Sequence, residues 1–260
     1  PGQRLLMVRD ITERERENRI RADFVANASH ELRTPLTVLL GYLHSMQEDS
    51  SVPTHWQEPM EEMASQVGRM QALVEDLLHL NQLESTVDAP TDPVPLRKLI
   101  KRVCKDAKRM AGERLNVDWE CDEHVSLLGD RKVLRSVLTN LVSNAVRFTP
   151  RGGRVHIRWQ VDERGGHIEV TDTGIGIAAE DFSRLTERFY RTDRGRARHD
   201  GGTGIGLAIV KHGLSIHQAR LEIESEIDRG STFRCVFPAA RIIAQAGATL
   251  SAQTDEVNHG

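Results

Sequence analysis

The chain has 260 residues, enough for one large domain or two modest ones. It is 38% hydrophobic and 28% charged, with a formal net charge of −3, which removes the electrostatic case for a nucleic-acid partner. Its three cysteines, Cys104, Cys121 and Cys235, lie far apart without CxxC spacing, which excludes a disulfide framework and leaves them as packing residues in a reducing compartment.

Aromatic residues make up only 4%, so the core must rest on Leu, Ile, Val, Met and Ala. No apolar run approaches the roughly 18 residues needed to span a bilayer, and there is no signal peptide. No membrane contact is therefore expected from this stretch. The start at Pro1-Gly2 is expected to mark a fragment, with an anchor upstream in the full protein.

In chain order, the apolar run from Leu5 to Val8 reads as the last strand of an upstream domain ending near residue 12. The charged stretch Glu13 to Arg21 reads as a connecting helix. From Phe24 a helical period begins, with Ala28, Leu32, Leu36, Leu39, Leu43 and Met46 following in steps of three or four. After the break at Glu48 to Pro53, a second helix is expected beyond Pro59. There Met60, Met63, Val67, Met70, Val74 and Leu77 trace a heptad seam. One such hairpin cannot bury both apolar faces, so a homodimer forming a four-helix bundle is expected over residues 13–88.

Pro90, Pro93 and Pro95 mark an extended linker at 89–95. Residues 96–240 then change texture. Helices are expected at Leu96 to Met110, Asp130 to Phe148 and Gly204 to Ile216. Strands are expected at Arg114 to Glu120, His124 to Leu128, Gly153 to Val161, Gly166 to Thr171, Arg220 to Glu226 and Thr232 to Pro238. Strands interspersed with a few helices indicate an α+β sandwich with helices on one sheet face. Residues 241–260 are expected to be a disordered tail.

Three groups of residues carry chemistry. The first is Ser29-His30-Glu31-Leu32-Arg33-Thr34-Pro35-Leu36 on the first helix. A neutral imidazole at His30 has a free lone pair that can attack a phosphoryl group, and Glu31 can hold or remove the proton on its other nitrogen. Thr34, one turn on, can orient a water for the reverse hydrolysis. Pro35 removes an N–H from the helix and predicts a bend just after the acceptor. The zinc motif HExxH is excluded because position 34 is Thr.

The second group is Asn140 and Asn144, four apart on one helix face, with Arg147 nearly one turn further. A carboxamide oxygen of Asn144 together with phosphate oxygens can hold Mg²⁺, and Arg147 can neutralise phosphate. The third is a pair of glycine turns. Asp172 leads into Gly174-x-Gly176, where an acid can accept a hydrogen bond from an exocyclic amine such as that of adenine. Gly202-x-Gly204-x-Gly206, followed by Leu207, opens a helix whose free N–H groups favour phosphate. Between them Phe189, Tyr190 and Arg191 lead into a basic, Gly-rich stretch read as a lid hinged at Phe189 and Tyr190. Neither glycine turn sits in a βαβ unit, which excludes a dinucleotide-binding Rossmann site, and no P-loop is present.

In this order and spacing the motifs closely resemble those of bacterial sensor histidine kinases over residues 17–240. Ser29 to Leu36 matches the H box, Asn140 to Thr149 the N box and Asp172 to Gly176 the first Gly box. Glu187 to Arg191 matches the F box, and Gly202 to Leu207 the second Gly box. Leu185 to Arg191 and Gly206 to His212 look most like the phosphate-regulon branch of that family. The resemblance implies a dimerisation and histidine-phosphotransfer hairpin followed by a Bergerat-type ATP-binding domain, with a PAS-like domain ending before residue 12. It implies ATP and Mg²⁺ as cofactors, His30 as phosphoacceptor, Glu31 as its base and Thr34 as a phosphatase helper. Asn144 would bind the metal, Asn140 and Arg147 would lie near phosphate, and Asp172 would meet adenine. The implied partner is a response-regulator receiver domain, and the implied location is the cytoplasmic side of an inner membrane. Two departures stand out: Arg147 where the family usually has Lys, and Gln218-Ala219 where it often has Gly-Gly. A related ATPase without phosphohistidine and a degenerate dimeric scaffold are the alternatives.

Overall fold

The computed structural model describes residues 12–49, 51–86, 88–122, 125–192 and 202–244, with side chains in 12–27 and at position 30 left aside. The expected strand before residue 12, the lid positions 193–201 and the tail 245–260 lie outside the described residues.

The periodic N-terminal segment forms a single helix, α1 (Thr12–Glu48), which runs through Pro35. The Thr37 hydroxyl donates to the Arg33 carbonyl at 2.9 Å just past the proline. A turn leads into α2 (Gln57–Glu84), which carries Pro59 in its first turn, where the missing N–H costs little. The two helices pack along Leu36, Leu43, Met60, Val67 and Val74. Only part of the expected apolar stripe is buried. Leu32, Leu39, Met46, Met63 and Met70 are exposed, as are Val38 and Tyr42. Each helix thus carries more apolar surface than one partner helix can cover.

The second domain is a mixed sheet with helices on one face. Its strands are β2 (Asn116–Cys121), β4 (Arg154–Asp162), β5 (Gly165–Asp172), β6 (Arg220–Glu226) and β7 (Gly230–Phe237), in the order β2-β4-β5-β7-β6. All pairings are antiparallel except β2 with β4. Alternation along β4 buries Val155, Ile157 and Trp159 against α3 (Leu96–Ala111) and α4 (Arg131–Phe148). The opposite face is polar. Glu120, Arg158, Glu169, Arg234 and Glu222 stand directly opposite one another across all five strands, a row of alternating charge. Arg234 Nε lies 2.5 Å from Glu169 Oε1. Opposite charges at facing positions favour this register and leave that face wetted.

Two helices place the site. Asp130 caps α4, its Oδ1 accepting from the N–H groups of Lys132 at 2.7 Å and Val133 at 3.1 Å. The Asp130 N–H in turn donates to Nε2 of the fully buried His217 at 3.0 Å, and His217 Nδ1 donates to the Gly213 carbonyl at 2.6 Å. These bonds define a neutral imidazole, in line with burial holding its pKa below the usual value. Gly213 belongs to α5 (Gly206–Ser215), so one histidine joins the start of α4 to the end of α5.

Two expectations need correction. Residues 89–95 are extended, but they are docked rather than free. The Ala89 N–H donates to the Ile216 carbonyl, and buried Arg241 donates to the carbonyls of Ala89 and Pro90 at 3.4 and 3.3 Å. Pro93 and Val94 form strand β1, pairing with β3 (Val125–Leu128). Nor does the ordered chain stop at 240. A turn over Ala239–Arg241 leads to β8 (Ile242–Ala244), the other neighbour of β3. Proline content and low hydrophobicity hid both segments, because short edge pairings are made by backbone groups that leave little sequence pattern.

Gln218 holds a φ of 56°, a left-handed conformation that glycine would adopt without strain. Gln218→Gly is expected to stabilise the chain by about 1 kcal/mol, read as a higher urea midpoint with an unchanged m-value.

Candidate nucleotide-binding site

Asp172 ends β5 facing inward, 6% exposed. Its Oδ1 accepts from the Gly174 N–H at 2.7 Å, and the Ser231 backbone also supports it. Burial nevertheless dominates and pushes the carboxyl up to about 6. After Asp172 the chain turns through Gly176 at φ +65°, where a Cβ would lie 1.9 Å from the Glu226 carbonyl oxygen. That contact allows only glycine there, and it presses the turn against the end of β6.

The second glycine turn meets the Phe189 segment back to back. Gly204 has φ +72°, and a Cβ there would lie 2.9 Å from Phe189 Cα. The Phe189 N–H donates to the Gly204 carbonyl at 2.9 Å, and Phe189 itself has φ 64°. Tyr190 hydrogen-bonds through its hydroxyl to Asp181, and the Arg184 guanidinium lies 4.3 Å from its ring centre.

These turns and α4 enclose a cavity of about 310 Å³. Asn140, Asn144, Arg147, Asp172, Gly176, Tyr190, Arg191, Gly202, Gly204, Gly206 and Leu207 all line it. Gly174 is buried immediately behind Asp172. The Asn140 Nδ2 donates to the Ser136 carbonyl at 3.0 Å, which leaves its Oδ1 close beside Gly206. Among the described residues the Asn144 carboxamide has no hydrogen-bond partner. Arg147 Nη1 comes within 2.5 Å of where a Gly202 Cβ would sit. The cavity is therefore polar in two opposite senses. Its lining includes a buried carboxyl as well as the α5 N-terminus, Arg147 and Arg191, which favour anions.

Glu31 and Thr34 are exposed on α1. His30 lies between them and α1's start, and its side chain is outside the described residues. Neither Glu31 nor Thr34 lines the cavity. Instead α2 lines it with Ala72 and Asp76, neither of which the sequence singled out. The second domain rests on α2 through Leu80 and Leu83, packed with Val133, Ile205, Ala208, Ile209 and Ile216. Each buried leucine there contributes up to about 2 kcal/mol. The partly exposed Glu84, paired with Arg188 and 3.3 Å from His212 Nε2, contributes at most about 1 kcal/mol. Apolar packing therefore holds this contact.

Residues 129–241 match the family model described as histidine kinase-, DNA gyrase B- and HSP90-like ATPase, and residues 20–86 match the His Kinase A (phospho-acceptor) domain. With both modules in this order, the chain belongs to the sensor histidine kinases. Within that family it is PhoR-like. It is 48% identical over 242 residues to the phosphate regulon sensor protein PhoR of Pseudomonas aeruginosa, covering 92% of this chain and 54% of that protein. The PhoR of Haemophilus influenzae is 33% identical over 241 residues, with 93% and 57% covered. The solved structure of full-length ShkA in complex with AMPPNP superposes with a TM-score of 0.69 at 27% identity, covering 83% of this chain and 45% of that one. The chain spans about half the length of the curated relatives it matches. Among the described residues no helix is long and apolar enough to cross a membrane.

The raised carboxyl has a consequence for stability. Asp172 has an ordinary value of 3.8 when unfolded and about 6 when folded. The native state therefore binds more protons between these values. Stability falls as pH rises through that window, and the cost, about 3 kcal/mol, is complete above it. Asp172→Asn keeps an oxygen for the Gly174 N–H and stays neutral. It is expected to raise the melting temperature of the nucleotide-free chain at pH 7.5, to leave it unchanged near pH 4, and to weaken ATP binding, all read by thermal melts with and without ATP.

Proposed function

We propose that this chain is the catalytic portion of an ATP:protein-histidine phosphotransferase that phosphorylates His30 and passes the phosphoryl group to an aspartate of a response-regulator receiver domain. The observation that carries this reading is the cavity itself. Four segments distant in sequence bring a buried carboxyl, two carboxamides, two arginines and a helix N-terminus around one space sized for a nucleotide base and sugar. Its two kinds of polar lining suit the two ends of ATP. Asp172 accepts the adenine amino group. The α5 N-terminus, Arg147, Arg191 and Asn140 receive the phosphates.

Asn144, with a free carboxamide oxygen beside the phosphate end, is the residue fitted to hold Mg²⁺ in company with phosphate oxygens and water. The metal, when bound, would neutralise charge on the phosphates. In the transfer, the unprotonated ring nitrogen of His30 forms a bond to the γ-phosphorus as the bond to the β–γ bridging oxygen breaks. ADP leaves with that electron pair. Glu31 holds the proton on the other ring nitrogen. In the second step a carboxylate oxygen of the regulator's aspartate takes the phosphoryl group, and the N–P electrons return to the imidazole. Positioning and charge neutralisation supply most of the rate. Thr34, exposed one turn from His30, orients the water that hydrolyses the regulator's aspartyl phosphate.

The exposed apolar residues Leu32, Leu39, Met46, Met63 and Met70 support a homodimer in which two hairpins form a four-helix bundle. The likeness to PhoR supports a role in phosphate-starvation signalling, with the chain as the cytoplasmic part of an inner-membrane protein.

His30→Gln is expected to bind ATP as the parent does yet to take no label from γ-labelled ATP. An acid-labile, base-stable label persisting in that variant would overturn the assignment. Gly204→Ala is expected to weaken ATP binding roughly tenfold through its left-handed φ and its contact with Phe189, read by calorimetry. Thr34→Ala is expected to keep autophosphorylation and to slow loss of phosphate from the regulator.

A further inference from the structure

The phosphate end of the cavity already holds an anion supplied by the chain. Asp76 of α2 lines the cavity alongside Asn140, Asn144 and Arg147. Its Oδ2 accepts from the Thr203 hydroxyl at 2.7 Å. Thr203 lies within the second glycine turn, and its Oγ1 also accepts from the Ile205 N–H at 3.3 Å, immediately before α5 begins at Gly206. A carboxylate from the hairpin is therefore tied to the turn that opens α5, where a helix N-terminus favours negative charge.

From this we propose that Asp76 is an internal competitor of the nucleotide's phosphates, so that docking of α2 and occupation of the phosphate end oppose each other. This rests on the cavity being the ATP site. Phosphate oxygens and the Asp76 carboxylate seek the same positive end, and like charges at short range in a partly enclosed space repel. The apolar contact of Leu80 and Leu83 with Ile205, Ala208 and Ile209 holds the carboxylate in place. Bound ATP therefore favours the undocked state, and by reciprocity docking weakens ATP. Docking acts on the charge of the ligand. A nucleoside without phosphates, held at the Asp172 end, is indifferent to it. The nucleotide thus releases the domain from α2 and frees it to reach the acceptor helix.

The test uses ATP and adenosine as probes, titrated by calorimetry into the 260-residue chain and two variants. Asp76→Asn removes the charge but leaves an oxygen for Thr203. Leu80→Ala loosens docking without touching the cavity lining; Leu80 lies outside the apolar cluster that joins α1 to α2, so the hairpin is retained. Both variants are expected to bind ATP roughly five- to tenfold more tightly, with adenosine unchanged. Equal ATP affinity in Asp76→Asn and the parent overturns the proposal. So does an Asp76→Asn effect of the same size on adenosine. Tighter ATP in Asp76→Asn with no gain in Leu80→Ala overturns the link to docking. Should ATP bind none of the three proteins, it is the reading of the cavity as an ATP site that falls.

Discussion

A carboxyl buried at the end of β5 is the constraint around which the second domain is arranged. Asp172 is held out of water at a cost that its hydrogen bond from Gly174 only partly offsets. Keeping it there requires the turn through Gly176 to press against β6, and it requires β7 to pass close behind at Ser231. A fold selected only for stability would place an amide or an apolar residue at that point. In the proposed nucleotide site that expense serves a ligand needing a buried acceptor, where a single hydrogen bond discriminates strongly because the group has little water to fall back on.

The rest of the site is a matter of bracing. α4 supplies Asn140, Asn144 and Arg147, and α5 supplies the N-terminus for anions. The buried imidazole of His217 between Asp130 and Gly213, together with the apolar packing of Val133 and Val137 against Gly213, sets the two helices against each other. The two glycine turns then close the space from opposite sides, one against β6 and the other against Phe189. The domain's outer face, covered by the row of paired charges from Glu120 to Glu222, stays in water. Binding is thereby confined to the helical side of the sheet, which is also the side that meets the hairpin.

The contact between the hairpin and the second domain combines two kinds of force with different jobs. Leu80, Leu83, Ile205 and Ile209 supply non-directional apolar burial, which sets how firmly the pieces stay together. Asp76 and Glu84 supply charge, which sets what the contact responds to. An interface whose strength is apolar and whose sensitivity is electrostatic can be stable at rest and still yield to a polyanionic ligand.

Much of this was legible in the residues alone. Period-two alternation fixed β4, β5 and β6 to within a residue or two, because burying one face of a sheet leaves a plain imprint. The heptad steps fixed the two long helices for the same reason. The glycines at 176 and 204 announced turns because a Cβ at either, in a left-handed conformation, would run into backbone of a neighbouring segment. The strands β1 and β8 on either side of β3 left no such imprint, since they are held by pairings of only two and three residues made by backbone groups. Nor did the sequence mark Asp76, which is an ordinary acid on a helix face until the second domain folds against it. Local pattern determined which elements form and which residue types can do chemistry. Only the tertiary structure decided which of them share one cavity, because that depends on contacts between side chains more than a hundred positions apart, as between Asp76 and Thr203.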